Sequence, residues 1–276
     1  MENEKNNPTH SGSGDNIAGD KIINNDNSVT HHHYYGQQNP PQVIPLRLNN
    51  APFSLPETIF GRKQDVENIR EHLTEKKQLL LVNSMGGVGK TTTALYYAYK
   101  YQNQYAHIIW VNGENEVENA LLNDADLLVN LDIAQQITDL IQNKQRDLAI
   151  ATVKRALFAL PKPVLWLIDN ANEDTYNTIK QWQNTNAEHH FLITSRDKHH
   201  EKNAYHLDYL SETAALALFY EHAGKTHKND ENDALLQPLL HNVWYHTLAI
   251  ILIAKTFKAK NTNDLTQYIK NTAAGT

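Results

Sequence analysis

The residues best equipped for chemistry lie in one run, Ser84-Met85-Gly86-Gly87-Val88-Gly89-Lys90-Thr91-Thr92. Glycines at 86, 87 and 89 let the backbone approach a polyphosphate and aim successive N–H groups at it. A helix starting there adds the partial positive charge of its N-terminus. Lys90 can reach the β- and γ-phosphates, and the Thr91 hydroxyl can ligate Mg²⁺. The usual spacing places a glycine six residues before the lysine, where this chain has Ser84. Serine can close the turn provided its φ stays ordinary.

Two further residues belong with this loop. Val164-Leu165-Trp166-Leu167-Ile168 is a continuous apolar run ending in Asp169, as expected of a central parallel strand that delivers a carboxylate at its C-terminal edge. Beside a phosphate loop, Asp169 is expected to hold Mg²⁺ through water. Phe191-Leu192-Ile193-Thr194-Ser195 reads as another buried strand and leads to Arg196, a cation able to touch a γ-phosphate and so distinguish triphosphate from diphosphate.

The elements that must position these groups follow from apolar spacing. Val66, Ile69 and Leu73 predict a helix over Gln64–Leu73. Leu79-Leu80-Leu81-Val82 predicts the strand that feeds the loop. Ala94, Leu95, Ala98, Tyr101 and Tyr105 predict one face of the helix leaving it. His107–Val111 reads as a strand, 112–142 as helices joined by loops, and Ala149–Leu160 as a helix halted by Pro161 and Pro163. A short helix over 173–183 and a strand at Tyr205-His206-Leu207 complete an alternation that argues for a parallel α/β sheet. Beyond Ser211, a good N-cap, the chain reads as all helical. Helices are expected over Ala214–Phe219, over Asp230–Leu240, over Val243–Phe257 with apolar residues on nearly all sides, and over Leu265–Ile269.

Residues 1–50 are rich in Asn, Asp, Gly, His, Gln and Pro without a sustained apolar period, which predicts a disordered tail. Within it, Gly14-Asp15-Asn16-Ile17 is echoed by Gly19-Asp20-Lys21-Ile22. Such segments resemble the N-terminal assembly motifs of some bacterial signalling proteins and are chemically suited to cross-strand ladders; the plainer reading is a flexible linker. His31-His32-His33 could hold a metal ion adventitiously. Pro40, Pro41, Pro45, Pro52 and Pro56 make an extended connector to Ile59-Phe60-Gly61-Arg62.

Composition limits the alternatives. With 276 residues, 40% of them hydrophobic, the chain can bury a sizeable core. A net charge of −6 implies no broad basic surface for nucleic acid. The absence of cysteine excludes disulfides, thiolate zinc sites and a cysteine nucleophile, leaving the 15 histidines as the transition-metal ligands available. The N-terminus lacks the pattern of a signal peptide, and Leu248–Ala254 is too short to cross a bilayer, so a cytoplasmic location is expected.

Taken in order, FGRKQDV, GGVGKTT, VLWLIDN, LITSR and a helical region containing HTLAI resemble the NB-ARC family of STAND nucleotide switches over roughly residues 55–272. The resemblance implies a P-loop NTPase parallel sheet flanked by helices over 51–209, a helical lid subdomain over 210–276, and bound ADP or ATP with Mg²⁺. It implies that Ile59 and Arg62 lie against the adenine. Gly86, Gly87, Val88, Gly89, Lys90, Thr91 and Thr92 would cradle the phosphates, with Thr91 and Asp169 serving the metal and Arg196 sensing the γ-phosphate. Three positions depart from the family. Besides Ser84, the second acidic position of the Walker B motif is Asn170, whose amide cannot act as a base, so slow or absent hydrolysis is expected. The lid motif has His246-Thr247-Leu248-Ala249 where a proline normally precedes Leu-Ala. A chain ending at Thr276 is expected to have room for the lid but not for a winged helix or sensor repeats. The leading expectation is therefore an adenine-nucleotide signalling switch with partners among other proteins or copies of itself. The alternatives are a catalytic P-loop ATPase, or an assembly scaffold driven by the Gly-Asp repeat with a vestigial nucleotide site.

Overall fold

The apolar runs read from the sequence become the strands of one five-stranded parallel sheet. The structure is a computed structural model and describes residues 45–51, 59–76, 79–183, 188–196, 204–224 and 230–259. All of these fall within the unit Ile44–Thr276. The Gly-Asp repeat, His31–His33 and the helix expected at Leu265–Ile269 lie outside the described residues.

The strands are β1 (Leu79–Asn83), β2 (His107–Asn112), β3 (Val164–Asp169), β4 (His189–Ser195) and β5 (Tyr205–His206), in the sheet order β2-β3-β4-β1-β5. β1 is buried at every position, as required when helices cover both faces of a sheet. Alternation along the strands sorts side chains into two cores. Leu79, Leu81, Trp166, Ile168, Phe191 and Ile193 enter one core, and Leu80, Val82, Leu165, Leu167 and Leu192 the other. α1 (Lys63–Glu71) and α2 (Lys90–Tyr101) cover the second core. The first is covered by α3 (Val117–Leu122), α4 (Ala125–Asn130), α5 (Ala134–Gln142), α6 (Arg146–Phe158) and α7 (Glu173–Gln183). Tyr105 lies past the end of α2, after a 3₁₀ turn at Gln102–Gln104, and reaches the core through a 2.6 Å hydroxyl contact with Tyr97.

Order begins ahead of the boundary expected at residue 51. Arg47 bridges Ile108 in parallel, Leu48 is fully buried, and backbone bonds run from Leu48 N to Ile108 O and from Ile108 N to Leu46 O. One residue on, the Asn49 side chain imitates a strand. Its Oδ1 accepts from Trp110 N at 2.8 Å and its Nδ2 donates to Trp110 O at 2.7 Å. The free edge of β2 is thereby covered, which removes a template for edge-to-edge pairing.

A third core belongs to α8 (Glu212–Ala223), α9 (Asp230–Asn242) and α10 (Thr247–Ala259). Ser211 caps α8 as expected, its Oγ accepting from Ala214 N at 3.3 Å. Gly61 passes so close to α8 that a Cβ would fall 2.5 Å from the Ala214 Cβ, and its φ is +67°. The helix expected from Val243 begins only at Thr247. Trp244 and Tyr245 adopt left-handed φ values of 54° and 53°, a conformation costly for bulky residues. α10 is apolar on several sides but buried on one: Ile250, Ala254 and Phe257 are buried, whereas Leu248 and Leu252 are 48% and 56% exposed.

Candidate nucleotide site

Parallel strands that share a direction deliver their C-terminal ends to one edge, and this edge collects the chemistry. Register sets Asn83 beside Ser195 and Val82 beside Thr194, and it pairs Asn112 with Asp169. The loop leaving β1 wraps over this edge. Gly87 and Gly89 take φ values of +77° and +107°, which only glycine adopts freely. Ser84 needs no positive φ, so it fills the first glycine position without strain.

The carbonyls of the loop are all engaged. Lys90 Nζ donates to Ser84 O at 2.8 Å and to Met85 O at 2.9 Å. Three consecutive residues at the start of α10 take the next three carbonyls. His246 Nε2 donates to Gly86 O at 2.8 Å, Leu248 N to Gly87 O at 3.0 Å and Thr247 Oγ1 to Val88 O at 2.8 Å. Arg62, 5% exposed at the start of α1, donates from Nη2 to the same Val88 O at 3.0 Å. The N–H groups of Gly86, Gly87, Val88 and Gly89 make no hydrogen bond to another described residue. A run of free amides at a helix N-terminus forms an anion-binding nest. His246 Nδ1 accepts from Ala249 N at 3.3 Å, which leaves the proton on Nε2, the donor to the loop.

The charges suit an anion. Burial holds the Lys90 ammonium below the usual lysine range, the nearby Arg196 guanidinium lowers it further, and the Asp169 carboxylate opposes both. Phosphate oxygens here would relieve that cost. Arg196 itself is exposed immediately after β4 and makes no bond to another described residue.

Asp169 Oδ1 accepts from Thr91 Oγ1 at 2.7 Å and from Thr194 Oγ1 at 2.5 Å. The expected pair, Thr91 and Asp169, is therefore brought together, with Thr194 as a partner the sequence marked only as a strand residue. Thr92 is exposed on the first turn of α2, and Ile59 is half-buried ahead of Gly61. Asn170 follows Asp169 with a left-handed φ of 58°. Its backbone N donates to Thr194 Oγ1 at 3.0 Å, and its Nδ2 donates to Glu114 Oε1 at 2.5 Å. Glu114, on the loop after β2, carried no signal of its own in the sequence. Neither did Gly113, where a Cβ would meet the Ala171 Cα at 2.8 Å. This close approach lets the loops after β2 and β3 lock together through Gly113 N to Asp169 O at 2.7 Å and Asn172 Nδ2 to Glu114 O at 2.9 Å.

Among solved structures, the chain is similar to PCH-2 of C. elegans at 12% identity and a TM-score of 0.42, over 77% of this chain and 66% of that one. It is similar to a Walker-type ATPase of Pyrococcus abyssi at 9% identity and a TM-score of 0.49, over 82% and 74%. It is also similar to the AAA domain of FIGL-1 in complex with ADP at 12% identity and a TM-score of 0.48, over 79% of each chain. The chain thus spans just under two thirds of the first of these. Comparison with curated protein sequences gives no match. The NB-ARC domain model, by contrast, matches residues 62–229, from Arg62 through the glycine loop, Asp169 and Arg196 to the far side of α8. With more than half of its length so matched and a P-loop sheet beneath it, the chain belongs to the NB-ARC family.

Proposed function

We propose that this protein is an adenine-nucleotide switch in which ADP or ATP on the amide side of the glycine loop alters the seat of α10 on its carbonyl side. The observation that carries the reading is the division of the loop. The carbonyls of residues 84–88 are held by Lys90, Arg62, His246 and α10, while the amides of 86–89 make no bond to another described residue. A ligand shifts a conformational equilibrium only through contacts that differ between its states. Here one backbone is shared by phosphate on one side and the lid on the other, so a change in loop geometry is felt by both. The Thr91 hydroxyl and the Asp169 carboxylate are hard oxygen donors already in contact; they fit Mg²⁺, which when bound neutralises charge on the β- and γ-phosphates. Arg196, exposed beside Lys90, is suited to read the third phosphate.

The test is titration of the purified chain with ATP and ADP. Replacing Lys90 with Ala removes a charged contact to phosphate, and the expected loss of affinity is about a hundredfold. Equal binding by wild type and the Lys90→Ala variant would end this reading.

A further inference from the structure

We propose that Glu114 is the general base for ATP hydrolysis, supplying from the β2 loop the carboxylate that Asn170 lacks. The inference rests on the nucleotide reading above and goes beyond its slow-hydrolysis expectation by naming the group responsible.

Asp169 accepts from Thr91 on the first turn of α2, the pair to which the nucleotide reading assigns the metal. The next residue, Asn170, has an amide that cannot take a proton from water. Its side chain instead donates to Glu114 Oε1. A carboxylate is thereby held one hydrogen bond from the residue after Asp169, on the same edge of the sheet. The hold is stiff at both ends. Glu114 N donates to Asn112 Oδ1 at 3.0 Å and its carbonyl accepts from Asn172 Nδ2. Gly113 packs against Ala171 with no room for a Cβ, and the left-handed φ of Asn170 is secured by its N–H bond to Thr194.

The second carboxylate oxygen of Glu114 makes no hydrogen bond or ion pair to another described residue, and the side chain is exposed. A purely structural latch would work as well with glutamine, whose carbonyl also accepts from Asn170 and brings no negative charge near a polyphosphate. A free, oriented oxygen on an otherwise fixed carboxylate is what a base needs. In the proposed step Glu114 takes a proton from water as the water oxygen bonds to the γ-phosphorus. The bond from that phosphorus to the β–γ bridging oxygen breaks, and its electron pair leaves with ADP. The proton passes from Glu114 to solvent as phosphate departs.

The experiment uses the full chain and reads two quantities, ATP affinity by titration calorimetry and single-turnover hydrolysis of labelled ATP. For Glu114→Gln the expected result is unchanged melting temperature, ATP affinity within twofold of wild type, and hydrolysis lower by about a hundredfold. Adding Asn170→Asp to that variant exchanges the two groups, and recovery of turnover supports the assignment. A Glu114→Gln chain that hydrolyses ATP at the wild-type rate overturns the proposal, as does a wild-type chain that binds ATP without turning it over; either result leaves the nucleotide reading standing. A wild-type chain that binds no ATP removes both.

Discussion

The two ends of β3 and β4 are built of opposite materials. At the starting end, Trp166, His189 and Phe191 join Phe158 and Trp182 in an aromatic cluster with ring centroids 5.2 to 6.4 Å apart. At the finishing end, about 10 Å along the strand, Asp169, Thr194 and Ser195 form a hydrogen-bonded polar network. It is the aromatic end that carries an orphan. His189 Nδ1 accepts from Trp166 Nε1 at 2.8 Å, while the buried Nε2 has no partner among the described residues. The strands therefore divide the labour along their own length. Packing at the start holds them in place, and the finish is left free to carry hydrogen-bonded polar groups.

The largest expected effect lies at the aromatic end. Trp166 is fully buried between α6, α7 and the sheet. Replacement by alanine opens a cavity and strands the histidine acceptor, so a loss of about 4 kcal/mol is expected in urea unfolding. Lys90→Ala should do the reverse, leaving stability near wild type and lowering nucleotide affinity about a hundredfold. If Trp166→Ala costs less than about 1 kcal/mol, the division between the ends is wrong.

Next in size is a dependence on pH. Burial, aided by the charges of Lys162 and His190, holds His189 down to about 4 from its ordinary 6.5. The folded chain thus keeps this ring neutral where the unfolded chain has begun to protonate it. Stability is complete above pH 6.5 and falls as pH drops toward 4, by on the order of 3 kcal/mol. Burial lowers His190 in the same direction. His189→Gln keeps an acceptor for Trp166 without a titrating ring, so its unfolding curves should lose most of this slope between pH 6.5 and 4. An unaltered slope in that variant would assign the acid sensitivity elsewhere.

What the sequence makes legible follows the same division. A strand buried on both faces cannot alternate, so the runs at Leu79, Val164 and Phe191 announce β1, β3 and β4. The glycines, Lys90 and Asp169 are equally plain because their chemistry is local to a turn and a strand end. β4 nevertheless starts at His189, two residues ahead of the apolar run, because a neutral ring among aromatics is buried like an apolar one. The turn at Trp244 and Tyr245 is invisible to hydropathy. No glycine marks it, and contacts with a loop some 160 residues away, His246 on Gly86, set where α10 begins. The Asn170–Glu114 pair spans 56 residues and depends on β2 lying beside β3, which spacing along the chain does not encode.

The smallest expected effect tests the polar end, where contacts are individually weak and shared. Thr247 Oγ1 donates to Val88 O, yet Arg62 donates to the same oxygen at 3.0 Å. Removing the hydroxyl therefore leaves no orphaned carbonyl, and Thr247→Ala should cost only about 0.5–1 kcal/mol. The loss should appear as faster local hydrogen exchange at the start of α10, with nucleotide affinity shifted by no more than roughly fivefold. Thr247→Ser, which restores the donor, should recover wild-type protection. His246→Ala should cost more, because it releases Gly86 O and the Ala249 N–H together. Equal exchange in wild type, Thr247→Ala and His246→Ala would mean that α10 is not seated on the loop in solution. The polar end would then be a binding edge alone, with no second element to report what is bound.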